Sequence, residues 1–350
     1  MPRRGFRPAL GVTTAALALA LPATPPSATA ATRPQARQAY EWAALGGSYT
    51  AGLFTGPRAG HPDGCERTTN AYPDLADRRL REHSPWRPVH LRNVSCRAAT
   101  ITDITRTSQS PVGWGLGVAD PAKPSTGWAR LRPQSERAGL GRDTDVVTVG
   151  IGWNSVDLGE MVAECLALGW KNKDASPCRT HYETPRKGTG SLEGRFERIR
   201  REYASMLGRI HREAPRAEVI TVGYPSLFPA DATRCGYNDP TRTATLAPGD
   251  VSWLRKVEER LNRTLEEATH RFGDRYLDTY GPSRGHDVCR PAEERWAEGY
   301  CGSVAPDSNW PSARCTGRGP RLRQTYFHPN IRGQSKIADL VAHSIDEALR

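Results

Sequence analysis

Asp145-Val-Val-Thr-Val-Gly-Ile-Gly-Trp-Asn154 opens with a continuous β-branched run, and that run sets the architecture. A half-solvated strand would alternate apolar and polar residues. An unbroken run reads as a strand covered on both faces, the mark of a parallel sheet between helical layers. The neighbouring segments agree. Tyr40 to Leu45, Val89 to Val94 and Val219 to Val222 read as further strands, with Tyr276 to Tyr280 a weaker fifth. Between them lie helical spacings: Asn70 to His83, then Leu192, Phe196, Ile199, Tyr203, Leu207 and Ile210, then Leu254, Val257, Leu261 and Leu265 with Asp250 as its N-cap, and Ile337 to Leu349 at the end. Strands alternating with helices predict an α/β fold. Residues 105–140 and 281–325 are rich in Pro, Gly, Ser and Arg and read as long loops. In such sheets, functional groups collect in the loops at the carboxyl ends of the strands.

The 350 residues admit one large domain or two ordinary ones. Only 37% are hydrophobic, and 33 Gly and 28 Pro make the chain loop-rich, yet 9 Trp and 11 Tyr can help fill a core, which excludes a fully disordered chain. Past residue 30 no apolar run is long enough to span a bilayer, which excludes a multi-spanning helical membrane protein. Before it, Arg3, Arg4 and Arg7 precede the apolar stretch Ala9 to Leu21, and Ala28-Thr29-Ala30 offers a small-x-small cleavage site. Residues 1–30 therefore read as a cleaved export signal, with 31–350 as a single domain and the mature protein secreted. Arg3-Arg4-Gly5-Phe6 loosely matches a twin-arginine signal, leaving the export route open. Loss of the three leader arginines takes the formal charge from +11 to +8. An excess of this kind fits a well-solvated Arg-rich surface or an anionic surface as partner; without a dense basic run interleaved with aromatics, nucleic acid is not expected.

Eight cysteines, Cys65, Cys96, Cys165, Cys178, Cys235, Cys289, Cys301 and Cys315, all lie beyond the leader. An even number in an exported chain implies disulfides, and eight allow 105 pairings. No Cys-x-x-Cys, His-x-x-His or His-Glu-x-x-His spacing occurs, so no metal is expected. Two Asn-x-Ser/Thr sequences, at Asn93 and Asn262, read as incidental.

Three points carry chemistry. Gly46-Gly47-Ser48 ends the first strand, Gly152-Trp153-Asn154 the third, and Phe327-His328-Pro329-Asn330 precedes the last helix. A serine hydroxyl becomes a nucleophile once a base takes its proton, and an imidazole does so near neutral pH. The tetrahedral intermediate then needs donors aimed at its oxyanion, which an Asn amide supplies. Ser48, His328 and Asn154 are the residue types acyl transfer requires.

These residues and their surroundings resemble the SGNH (GDSL-type) hydrolases, in particular the secreted actinobacterial esterases and lipases. Ala44-Leu-Gly-Gly-Ser-Tyr-Thr-Ala-Gly52 is similar to the nucleophile segment G-D-S-Y-x-A-G. Asn70-Ala-Tyr-Pro73, Ser95-Cys-Arg-Ala-Ala-Thr100, Val147 to Asn154, Val222-Gly-Tyr-Pro225, Gly285-His-Asp-Val-Cys289 and Phe327-His-Pro-Asn-Ile-Arg-Gly333 follow in the family's order. The resemblance implies a three-layer α/β/α sandwich on a five-stranded parallel sheet. It implies a cofactor-free serine esterase or lipase with Ser48 as nucleophile, His328 as base and acid, and the Ser48 and Ala98 N–H groups and the Asn154 amide as oxyanion donors. It also implies a small ester or lipid substrate and disulfides Cys65–Cys96 and Cys165–Cys178. Cys235–Cys289 and Cys301–Cys315 are expected for the rest, the last closing a local loop. A monomer is expected. The alternatives are a polysaccharide deacetylase, or a non-catalytic binder of lipid or cell-wall polymer.

Four positions depart from the family pattern. Gly47 stands for Asp before the nucleophile, Ala98 for Gly in the second block, Ser155 for the Asp after the oxyanion Asn, and Thr325 for the triad acid three residues before His328. Without that acid the Thr325 carbonyl is the expected acceptor for the His328 Nδ1–H, giving a Ser-His dyad. His286-Asp287 reads as a structural pair. Trp153 reads as either a wall of the acyl pocket or packing.

Overall fold

The structure is a computed structural model that describes residues 39–60, 63–83, 88–111, 128–184, 190–304, 315 and 322–350. The leader read at 1–30 lies outside the described residues, as do 112–127 and most of 305–321 within the two long loops.

The chain begins with β1 (Tyr40–Gly46), the short α1 (Ser48–Ala51), α2 (Tyr72–His83) and β2 (Val89–Asn93). The short α3 (Ile101–Thr105) and α4 (Gln134–Ala138) precede β3 (Thr144–Gly150), and one 3-10 turn leads into α5 (Leu158–Lys171) and α6 (Pro177–Glu183). Then come α7 (Leu192–Glu213), β4 (Glu218–Val222), α8 (Pro248–His270) and β5 (Arg275–Leu277). The short α9 (Tyr280–Ser283), β6 (Cys301–Ser303), β7 (Leu322–Gln324) and α10 (Ile331–Ala348) complete it.

β1 to β5 form one parallel sheet in the order β2-β1-β3-β4-β5, and β6 pairs with β7 in a separate antiparallel hairpin. Successive strand residues point to opposite faces, so the unbroken apolar runs feed two cores. Trp42, Ala44, Val146, Ile220 and Val222 pack under Tyr72, Ala76 and Leu80 of α2 and Ile337, Val341 and Ile345 of α10. Ala43, Leu45, Val147, Val149 and Val219 pack against Phe196, Ile199, Tyr203 and Leu207 of α7 and Leu254, Val257 and Leu261 of α8. Each fully buried aliphatic side chain contributes about 1.5–3 kcal/mol. The result is a three-layer α/β/α sandwich. Four disulfides join Cys65–Cys96, Cys165–Cys178, Cys235–Cys289 and Cys301–Cys315.

Two sequence readings need correction. Asp250 is not the N-cap of α8; that position is Ala247, with Pro248 starting the helix. The Asp250 carboxylate instead accepts from the N–H groups of Cys178 and Arg179, at 3.1 and 2.9 Å, and so caps α6. Nor are 105–140 and 281–325 wholly loop. The first contains α4, and the second contains α9 and the β6–β7 hairpin, elements too short for periodicity to reveal.

Candidate active site

Ser48 is the first residue of α1, directly beyond the end of β1. To reach it the chain passes Gly46, where a Cβ would stand 2.2 Å from Thr50 Oγ1 and 2.6 Å from the Gly150 carbonyl oxygen. Only glycine fits that approach. Gly47 is different. Its φ of −96° is ordinary, and a Cβ there meets its nearest atom, Ile151 Cδ1, at 3.6 Å. Glycine at position 47 is therefore not a steric requirement of the turn.

His328 Nε2 lies 2.8 Å from Ser48 Oγ. On its other side Nδ1 lies 2.9 Å from the Thr325 carbonyl oxygen and 3.1 Å from that of Tyr326. A carbonyl can only accept, so Nδ1 carries the proton and Nε2 presents its lone pair to the serine. The turn that aims these carbonyls is strained: Tyr326 and Phe327 have φ of 48° and 60°, costing about 1–2 kcal/mol each. Four bonds hold it. Thr325 Oγ1 donates to the Gly299 carbonyl at 2.9 Å and Tyr49 Oη to that of Phe327 at 2.9 Å. The Phe327 N–H donates to Gly299 and the Glu298 N–H to the His328 carbonyl. The ring sits between Tyr49 and Phe54, with centroids 4.9 and 5.5 Å away. Burial in this aromatic setting pulls the His328 pKa down to about 4, partly opposed by the two carbonyl hydrogen bonds.

The second and third blocks meet beside the serine. Ala98 adopts the left-handed conformation, φ 61°, which explains why glycine is the easier residue there. Asn154 Nδ2 donates to the Ala99 carbonyl at 2.9 Å, and Ser155 Oγ accepts from the Ile101 N–H at 2.8 Å. A hydroxyl thus binds the two blocks together at the position of the family's Asp. Among the described residues, the N–H groups of Ser48 and Ala98 have no acceptor.

Several residues that position this site carry no sequence signal. Gln334 on α10 is fully buried; it accepts from the Tyr72 N–H at 2.8 Å and donates to the Tyr49 carbonyl at 2.9 Å, tying α1 and α2 to the last helix. Asn262 on α8 clamps the Tyr224 peptide on both its N–H and C=O, and Tyr224 Oη accepts from the Trp153 N–H at 3.0 Å. Trp153 is buried against Tyr49 and Tyr224, and Tyr49 in turn packs on the His328 ring. His286 stacks on Trp296 and bonds the Glu294 carbonyl, while Asp287 accepts from the Cys289 N–H. That pair is structural and is not bonded to His328.

Comparison with known proteins identifies the family. Residues 44–336 match the model of the GDSL-like Lipase/Acylhydrolase family. Lipase 2 of Streptomyces coelicolor is 32% identical over 351 residues, 99% of this chain and 98% of that one. An esterase of Streptomyces scabiei is 26% identical over 87% of this chain and 85% of its own. Among solved structures, a phospholipase A1 from Streptomyces albidoflavus superposes with a TM-score of 0.56 at 18% identity, covering 88% of this chain and 99% of that one. The chain belongs to the GDSL-like lipase/acylhydrolase family and is an ester hydrolase.

Proposed function

We propose that this protein is an exported serine esterase or lipase that cleaves carboxylic esters through a Ser48-His328 dyad. The observation that carries the reading is the one continuous hydrogen-bonded line from Ser48 Oγ through the His328 ring to the Thr325 carbonyl. In the first step His328 Nε2 takes the Ser48 proton as Oγ adds to the ester carbonyl carbon. The carbonyl oxygen becomes an oxyanion, received by the Ser48 and Ala98 N–H groups and by the second amide hydrogen of Asn154. The imidazolium then protonates the leaving alkoxide, and an acyl-enzyme remains. Water, activated by the same nitrogen, releases the acid. A backbone carbonyl fixes the His328 tautomer as a carboxylate would, but stabilises the imidazolium less because it brings no full charge.

Export is supported by the leader-like residues 1–30 and by four disulfides, which persist in oxidising compartments. A small ester or lipid substrate and a monomeric state belong to the same proposal.

The test is a panel of p-nitrophenyl esters of increasing acyl length, run beside an acetylated polysaccharide on the mature protein. Turnover of the esters, abolished by Ser48→Ala and by an organophosphonate that labels Ser48, is the expected result. Release of acetate from the polysaccharide alone would make it a deacetylase. No turnover of either, with retained lipid binding, would leave a binder on an esterase fold.

A further inference from the structure

We propose that Gln134 is a positioning residue that sets the spacing between the Ser48 and Ala98 N–H groups; the inference rests on the Ser48-His328 reading above. β2 accompanies β1 only as far as Ala44, which pairs with Asn93. Beyond that point β2 leaves the sheet to form the segment leading to Ala98. The departing segment still serves the Gly46 carbonyl but not the Gly46 N–H, two residues before Ser48. Gln134 fills that gap from α4. Its Oε1 accepts from the Gly46 N–H at 2.8 Å and its Nε2 donates to the Gly46 carbonyl at 2.9 Å. The same carbonyl also accepts from the Cys96 N–H at 3.0 Å.

The carboxamide, 1% exposed, thus stands where a neighbouring strand would. Ser48 lies two residues past Gly46, and Ala98 two residues past Cys96, so one side chain holds the junction from which both N–H groups project. Arg137, further along α4, donates to the Val94 carbonyl at 2.8 Å and fixes the departing chain on the other side. Misplacing donors by a fraction of an ångström loses transition-state stabilisation while leaving substrate contacts in place. A positioning role therefore predicts a fall in kcat without a matching change in KM.

The experiment compares Gln134→Met and Gln134→Glu with wild type on a short-chain p-nitrophenyl ester, with circular dichroism to establish folding. Gln134→Met removes both bonds; kcat should fall about 10–100-fold with KM within about threefold. Gln134→Glu is the sharper variant. A protonated carboxyl offers one acceptor and one donor on the same edge and can remake both bonds. The ionised form has no donor and sets a negative charge against the Gly46 carbonyl. Burial raises its pKa, so activity should be near wild type at low pH and fall as pH rises through that pKa, while wild type does not follow. Glu41, Arg92, Asp103, Glu136 and Arg137 on α4 and the elements around it, and Asp63 beside Arg137, are present in both proteins, so the difference between profiles isolates residue 134.

Parallel pH profiles for Gln134→Glu and wild type would overturn the proposal even if Gln134→Met failed to fold. So would a folded Gln134→Met with wild-type kcat. Activity surviving in Ser48→Ala would overturn the nucleophile reading itself. A dead Ser48→Ala with unaltered Gln134 variants would remove the Gln134 assignment alone.

Discussion

The Thr325 hydroxyl donates to the Gly299 carbonyl at 2.9 Å and is fully buried. The side chain at position 325, where the family pattern would place an acid, is therefore employed in holding the turn that presents the Thr325 carbonyl to His328. The consequence for repair of the triad is direct. Thr325→Asp would place a carboxylate against a carbonyl oxygen in a buried site, and would lose the donor. We expect it to lower both Tm and kcat, by about tenfold or more in rate, and not to rescue a triad. Thr325→Ser, which keeps the hydroxyl, should stay near wild type. Loss of one buried bond of this kind costs about 1–3 kcal/mol, so Thr325→Ala should fall between them. A gain in kcat for Thr325→Asp would show that the turn can rearrange to accept an acid.

The pH dependence of activity should follow the depressed pKa of His328, about 4. The base works when unprotonated, so kcat/KM should hold from pH 7 to about pH 5, with an acid limb centred near pH 4. The same shift acts on stability. Unfolded histidine titrates near 6.5, so between pH 6.5 and 4 the unfolded chain binds a proton that folded His328 does not, and stability falls as pH falls across that window. Glu66 runs the other way. Burial, partly offset by Arg97, raises its carboxyl to about 7, so the folded chain holds a proton that the unfolded chain has lost, and this contribution falls as pH rises from 4.5 to 7. His328→Gln should lose less stability than wild type between pH 6.5 and 4. Equal losses in urea titrations would place the histidine outside the acid response.

Ala98 and Asn154 should separate by kind of effect. Ala98→Gly relieves a left-handed alanine without removing an N–H, so activity should persist and Tm should change little or rise by a few degrees. Asn154→Ala removes the proposed oxyanion donor and the tie to Ala99 together. Its kcat should drop about 10²–10³-fold. A silent Asn154→Ala alongside a dead Ser48→Ala would take Asn154 out of the oxyanion site.

The two glycines before Ser48 should answer alanine oppositely. Gly47→Ala has room and an extended backbone, so it should stabilise by about 0.4–1 kcal/mol through the unfolded chain. Gly46→Ala drives a methyl into Thr50 Oγ1 and the Gly150 carbonyl. It should abolish activity and cost several kcal/mol or prevent folding. Thermal melts of the pair decide the matter. A tolerated Gly46→Ala would mean the strand end is looser than its contacts imply.

What could be read from the sequence was whatever repeats with a period. The double-faced apolar run of β3 and the stripes on α7 and α8 are long enough to announce a buried sheet between helices. Ser48 and His328 were legible because each stands at the end of such an element. Gln134, Gln334 and Asn262 were not. Each is a polar residue buried to serve a peptide group far away in the chain, and no local spacing distinguishes it from a solvated one. Asp250 failed for the same reason in reverse: it looked like the cap of its own helix and serves α6 instead. Thr325 was legible as a missing acid, but not as the clamp on Gly299.

The bonds that assemble this centre join the two ends of the fold: Ser48 with His328, Tyr49 with Phe327, and Tyr49 with Gln334 span 280, 278 and 285 residues. Closing such long loops costs more chain entropy than forming local elements and slows folding. A chain emerging from its synthesis presents Ser48, Ala98 and Asn154 well before His328. On the proposed Ser48-His328 dyad, hydrolytic competence waits for the carboxyl-terminal segment, and a chain folded only up to β5 carries the serine without its base.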